Sequence, residues 1–251
     1  MRANRPAHRL TAYAYYGVLV ALLLRCVTLG NAATLQVSPV IVNLPPAQPA
    51  TTLTLGNSGD APIHGQLRLY AWTQDHGANV LAPTDDLIAS PPIVRIAPGE
   101  RQIVRLVHVA RPPARQERSY RLLVDELPPL DAPRGEGVSI RLRYSLPVFV
   151  QAEQASAPAL HFGVDTNTGA LEVRNNGDRH AQLGATNVRD ATGRNVELSR
   201  GLLGYVLAGQ TRRFAVRWPS GAPPLAPFTV ESRIDTVPMR FAADEVPDAE
   251  R

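Results

Sequence analysis

From Ala33 onward, apolar and polar residues alternate in short runs, and no window sustains the spacing of a buried helix face. Runs of period two bounded by turn residues predict β-strands. In the first half they fall at Leu35–Leu44, Thr51–Leu55, Ile63–Gln74, Ile93–Ile96, Arg101–Val109, Ser119–Glu126 and Val138–Val150. Between them lie Pro45-Pro46, Asn57-Ser58-Gly59-Asp60, Pro91-Pro92, Pro98-Gly99 and Pro128-Pro129, dipeptides and clusters that strands avoid. That number of strands suits an immunoglobulin-like sandwich. Gln151–Pro158 carries no pattern and is predicted to be a linker. A second set follows at Leu160–Val164, Ala170–Arg174, Gln182–Arg189, Val196–Ser199, Arg212–Val216, Phe228–Ile234 and Met239–Phe241. The fold class is therefore all-β, with two immunoglobulin-like β-sandwich domains in tandem.

The N-terminus follows a different pattern. Arg2, Arg5 and Arg9 precede a largely apolar run from Ala12 to Leu24, and Leu29-Gly30-Asn31-Ala32 supplies small residues. This order reads as a secretory signal peptide cleaved after Ala32. The apolar run is too short for the roughly 20 helical residues that span a bilayer, so no membrane anchor is expected after cleavage. The expected organisation is a signal peptide over 1–32, a first domain over 33–152, a second over 153–243 and a flexible tail over 244–251.

Charge changes the picture only once its location is known. The formal net charge is +4, but Arg2, Arg5, Arg9 and Arg25 lie in the leader, and the arginines that remain balance the 22 acidic residues. A nucleic-acid binder would carry its excess on the folded domains. The chain has no Lys. Its one Cys, Cys26, lies in the leader, which excludes a cysteine metal site and a disulfide framework in the mature chain.

Catalytic chemistry is not visible. His64, His76, His108, His161 and His180 show no metal-ligand spacing. There is no Gly-x-Ser-x-Gly elbow, phosphate loop or dinucleotide fingerprint. The chain is predicted not to be an enzyme and to need no cofactor or metal. Tyr70 and Trp72 alternate on one strand and are assigned to a core.

Val138–Val150 is the most informative segment. Val138, Ile140, Leu142, Tyr144, Leu146, Val148 and Val150 are all apolar, while Ser139, Arg141, Arg143 and Ser145 are polar. A usual strand has about 5 or 6 residues. Two explanations fit: a long core strand, or a strand whose first half overhangs as an apolar edge kept for pairing with another chain.

Three stretches carry a family resemblance. They are Ser90–Leu106 (SPPIVRIAPGERQIVRL), Ser119–Pro129 (SYRLLVDELPP) and Arg141–Phe149 (RLRYSLPVF). With Leu35–Leu44, they resemble the periplasmic chaperones of chaperone–usher pilus assembly, most of all the archaic, spore-coat-U-associated branch. The second domain is similar in length and strand rhythm only. The resemblance implies a chaperone that lends its last first-domain strand to an incomplete pilus subunit, a form of strand addition, and passes the subunit to an outer-membrane usher. It implies donor positions at Val138, Ile140, Leu142 and Tyr144. It further implies a cation that receives the subunit's terminal carboxylate. The best-known members use an Arg on the first strand and a Lys on the last; Leu35–Leu44 has no Arg and the chain has no Lys. The candidates are then Arg121, Arg143 and Arg105. An interdomain ionic cluster with its acids at Glu126 and Asp235 is implied, although Leu146–Gln151, where the family places its basic partner, has no cation. The alternative with the same fold is a two-domain surface adhesin or structural pilus component, which should carry its own groove or donor extension.

Overall fold

The computed structural model describes residues 35–109, 114–128, 141–219 and 223–246, and every regular element among them is a strand. The first sandwich is built from β1 (Leu35–Ser38), β2 (Val42–Leu44), β3 (Ala50–Asn57), β4 (Ile63–Asp75), β5 (Ala78–Pro83), β6 (Leu87–Ser90), β7 (Ile93–Ile96), β8 (Arg101–His108), β9 (Arg118–Leu127) and β10 (Arg143–Val150). One sheet runs β1-β3-β8-β6; the other runs β2-β10-β9-β4-β5, with β7 also on β4. Leu53, Leu55, Val104 and Leu106 from the first sheet meet Leu122, Val124, Leu146 and Val148 from the second in a core closed to water. Full burial of such a side chain contributes about 1.5–3 kcal/mol.

The second sandwich holds β11 (Leu160–Asp165), β12 (Leu171–Asn175), β13 (Ala181–Arg189), β14 (Asn195–Ser199), β15 (Gly204–Val206), β16 (Thr211–Phe214), β17 (Phe228–Ile234) and β18 (Val237–Val246). Its strands are hydrogen-bonded into one continuous sheet, because β18 pairs β17 on one side and β11 on the other. The sheet encloses a core that includes Phe162, Val173, Leu183, Val188, Val206 and Val230.

Most expected strands are present, with informative differences. Leu35–Leu44 is broken after Ser38, where Pro39 interrupts it; β1 pairs β3 in one sheet and β2 crosses to pair β10 in parallel in the other. The expectation omitted β5, which is exposed along its whole length and so lacks an apolar face. It also omitted the short β6 and β15. β18 continues past Phe241 to Val246, so Asp244–Val246, assigned above to a flexible tail, pairs with Gly163–Asp165. The expected strand Val138–Val150 is strand from Arg143 on; Val138 and Ile140 lie outside the described residues.

Candidate functional site

The site forms on the outer face of the β2-β10-β9-β4-β5 sheet and its junction with the second sandwich. On β4, Leu67 and its odd-numbered neighbours face the first core, so Arg68, Tyr70, Trp72 and Gln74 point the other way. Register places Arg121 of β9 between Tyr70 and Pro147, and Asp125 between Gln66 and Arg143. Trp72 and Phe149 therefore leave the first core and join Tyr205 and Leu207 of the second sandwich in a separate buried cluster. Trp72 was expected in a core, and it belongs to this one; the Tyr205 ring meets it edge-on at 5.7 Å and 83°.

Gln74 binds the two sandwiches through its buried amide. Its Nε2 donates to Tyr205 O at 2.7 Å and to Asn79 Oδ1 at 3.1 Å, and its Oε1 accepts from Leu207 N–H at 3.0 Å. Asn79 Oδ1 also accepts from Trp72 Nε1–H at 3.1 Å. Nearby, the Glu117 carboxylate, only 1% exposed, pairs with His180 Nδ1 at 2.6 Å and accepts the His180 backbone N–H at 3.1 Å.

Arg121 lies half-buried beside this cluster. Its guanidinium carbon sits 3.7 Å from the Trp72 ring centroid and 5.7 Å from that of Tyr205. Among the described residues it makes no ion pair and no side-chain hydrogen bond. Burial lowers its pKa, while Tyr205 acts in the opposite sense. The other two candidate anchors are placed differently. Arg143 is paired with Asp125, which also holds Arg68 at 2.7 Å. Asp125 is itself nearly buried; burial would raise its carboxyl, but the two guanidiniums together hold it below the ordinary value. Arg105 is exposed on β8, in the other sheet, beside Thr52 and Ser90.

Glu126 and Asp235 are not brought together. Glu126 is near the far end of β9, where its N–H donates to Leu142 O at 3.0 Å and its Oε2 accepts from Leu142 N–H at 3.4 Å. Asp235 sits at the β17–β18 turn, where its Oδ1 accepts from Gln182 N–H at 2.9 Å. Glu117, His180, Gln74 and Phe149 were not anticipated. The available signal was Pro147 and Phe149, two apolar residues on the otherwise polar side of the Val138–Val150 pattern.

Of the expected donor positions, Leu142 and Tyr144 are described, at the start of β10. Leu142 is half-buried, and Tyr144 packs against the first core while its hydroxyl donates to Leu35 O at 2.6 Å. The Glu126–Leu142 bond fixes the phase of the antiparallel ladder. Even-numbered residues of β10 bond toward β9, and odd-numbered ones direct their backbone groups outward. β2 pairs only with Val148–Val150. Among the described residues, no strand covers the outer side of Arg143–Ser145.

Comparison with known proteins agrees with this geometry. Residues 34–156 match the pili and flagellar-assembly chaperone family through its PapD N-terminal domain. The first sandwich belongs to this chaperone family. The chain is 31% identical over 143 residues to the chaperone protein FimB/FhaD of Bordetella pertussis, a match over 51% of this chain and 56% of that one, so it spans little more than half the length of that curated relative. A chain in the crystal structure of the CsuC–CsuE chaperone–tip adhesion subunit pre-assembly complex, from archaic Csu pili of Acinetobacter baumannii, is 25% identical. That match covers 86% of this chain and all of the other, with a TM-score of 0.68. The YadV chaperone shares the fold, at 16% identity over 84% of this chain and all of that one, with a TM-score of 0.62. The family match ends near the first sandwich; both solved structures extend the likeness across the second.

Proposed function

We propose that this chain is a periplasmic chaperone that binds pilus subunits by donor-strand complementation and delivers them to an outer-membrane usher, after cleavage of its leader behind Ala32. The observation that carries the reading is the outer edge at the start of β10, which no strand among the described residues covers. A strand edge left open exposes unpaired N–H and C=O groups and is normally blunted, because it templates pairing with other chains. Here Arg143 and Ser145 offer both groups outward. The apolar positions Val138, Ile140 and Leu142 precede that edge and supply side chains for a subunit's open groove, with Tyr144 at their base. Arg121 receives the subunit's terminal carboxylate. The resemblance to FimB/FhaD and to a chain of the CsuC–CsuE complex supports this reading of partner and pathway.

The test is periplasmic co-expression with a candidate pilus subunit. The subunit is expected to survive and to co-purify one-to-one with the mature chaperone. A subunit that is degraded equally with and without the chaperone would overturn the assignment for that subunit class.

A further inference from the structure

A cation half-withdrawn from water is ordinarily held by an acid, and even the more exposed Arg68 and Arg143 on the same sheet share one, Asp125. Arg121 is held instead by ring faces. The guanidinium lies over Trp72 at 3.7 Å, and Tyr205 closes from the second sandwich at 5.7 Å. An aromatic face offsets part of the cost of desolvating a cation without occupying its N–H groups. An acidic partner would occupy them, and an incoming carboxylate would have to displace it. A planar guanidinium with its fork uncommitted is ready to take a carboxylate through two parallel hydrogen bonds.

The rings are themselves fixed. Trp72 Nε1–H is bonded to Asn79, Asn79 to Gln74, and Gln74 to the backbone of Tyr205 and Leu207. This chain of bonds satisfies every polar atom of the buried Gln74 amide, as a buried polar group requires. It also ties the indole from one sandwich to the backbone that carries the Tyr205 ring in the other.

We propose that Trp72 and Tyr205, set by Gln74 and Asn79, are positioning residues that hold the Arg121 guanidinium open for a carboxylate. The proposal rests on the carboxylate-anchor role given to Arg121 above. It adds that the grip needs both sandwiches, because each contributes one ring.

The experiment measures binding to the full mature chain by fluorescence anisotropy. The probes are two labelled synthetic peptides of about 12 alternating Val and Thr residues, suited to strand addition, identical except for a free carboxylate or an amide at the C-terminus. The wild type is expected to favour the acid roughly tenfold or more, as a charge-assisted bidentate contact allows. Arg121→Ala should erase that preference. Trp72→Leu and Tyr205→Leu should each cut the acid-to-amide ratio at least about threefold and leave the amide affinity nearly unchanged, while Trp72→Phe and Tyr205→Phe, which keep a ring face, should retain most of the ratio. If the Leu variants weaken both peptides equally, or leave the ratio intact, the rings are packing alone and the proposal is overturned. Should either Leu variant fail to fold, Trp72→Phe with Tyr205→Phe decides: a ratio lost in both despite the retained rings counts against it. A wild type with no acid preference, or an Arg121→Ala variant that keeps it, overturns the anchor role itself and the ring proposal with it, as does a wild type that binds neither peptide.

Discussion

His180 of the second sandwich lies flat on Phe149 of the first, with ring centroids 3.4 Å apart and planes 5° from parallel. The same imidazole pairs with the buried Glu117 carboxylate just ahead of β9. One side chain therefore supplies both a ring stack and a hydrogen bond across the junction. His180→Ala would remove the stack and leave Glu117 without its side-chain partner, keeping only the backbone N–H of residue 180. Leaving a buried polar group short of its hydrogen-bond partner costs about 1–3 kcal/mol. We predict a loss of that order in the urea unfolding of the mature protein, larger than for His180→Gln, which still offers a donor. Equal effects from the two variants would place the cost in packing.

The donor assignment has its own test. Ile140→Arg should leave the free protein as stable as wild type in urea and abolish subunit rescue, because an overhanging side chain contributes to a partner's core and not to its own. By contrast, Leu122→Ala, in the interior of the first core, should cost about 2–5 kcal/mol. If Ile140→Arg destabilises the free chain on that scale, Val138–Leu142 is ordinary core strand.

Acid should act on the second sandwich through Asp190. Burial would raise this carboxyl, but hydrogen bonds from Thr192 and from the Arg194 side chain and backbone outweigh it and hold it at about 2. The contacts are 2.7 Å from Thr192 Oγ1 and 2.7 Å from Arg194 Nε. A carboxyl held below its unfolded value, roughly 4, stabilises the folded state fully above that value and loses the contribution as pH falls toward about 2. Asp190→Asn should therefore lower stability at neutral pH by about 1–3 kcal/mol. The gap between wild type and variant should narrow as the pH is lowered from about 4 toward 2. A gap constant across that range would mean that the charge of Asp190 plays no part.

Period two and the turn clusters made the sandwich strands legible because each has one face on a core. β5 escaped because it has none, being an exposed edge strand whose Asn79 serves the junction by a hydrogen bond. The anchor candidate Arg121 was accessible from the alternation of Tyr120, Leu122 and Val124, which puts it on the opposite face. Its difference from Arg143 was not, since that depends on Asp125 sitting across from one arginine and Trp72 beneath the other. The junction was the least legible part. Glu117 and His180 are distant in sequence and carry no pattern, and only the apolar Phe149 on the polar side of its strand hinted at a second packing surface.

The three candidate anchors can be separated by charge removal. Arg121 is half-buried and, among the described residues, without an acidic partner, so an incoming carboxylate gains its full attraction and is left unpaired and desolvated if the guanidinium is removed. Stripping one partner from such a pair costs about 2–5 kcal/mol. Arg121→Ala should weaken subunit binding by that amount, measured by calorimetry, with little change in the stability of the free chaperone. Arg143 is mostly exposed and committed to Asp125, which keeps Arg68 when it is lost; Arg143→Ala should change binding by less than about 1 kcal/mol. Arg105→Ala, in the opposite sheet, should change nothing. A larger loss from Arg143→Ala than from Arg121→Ala would move the anchor toward the start of β10 and require Asp125 to release its partner when a subunit arrives.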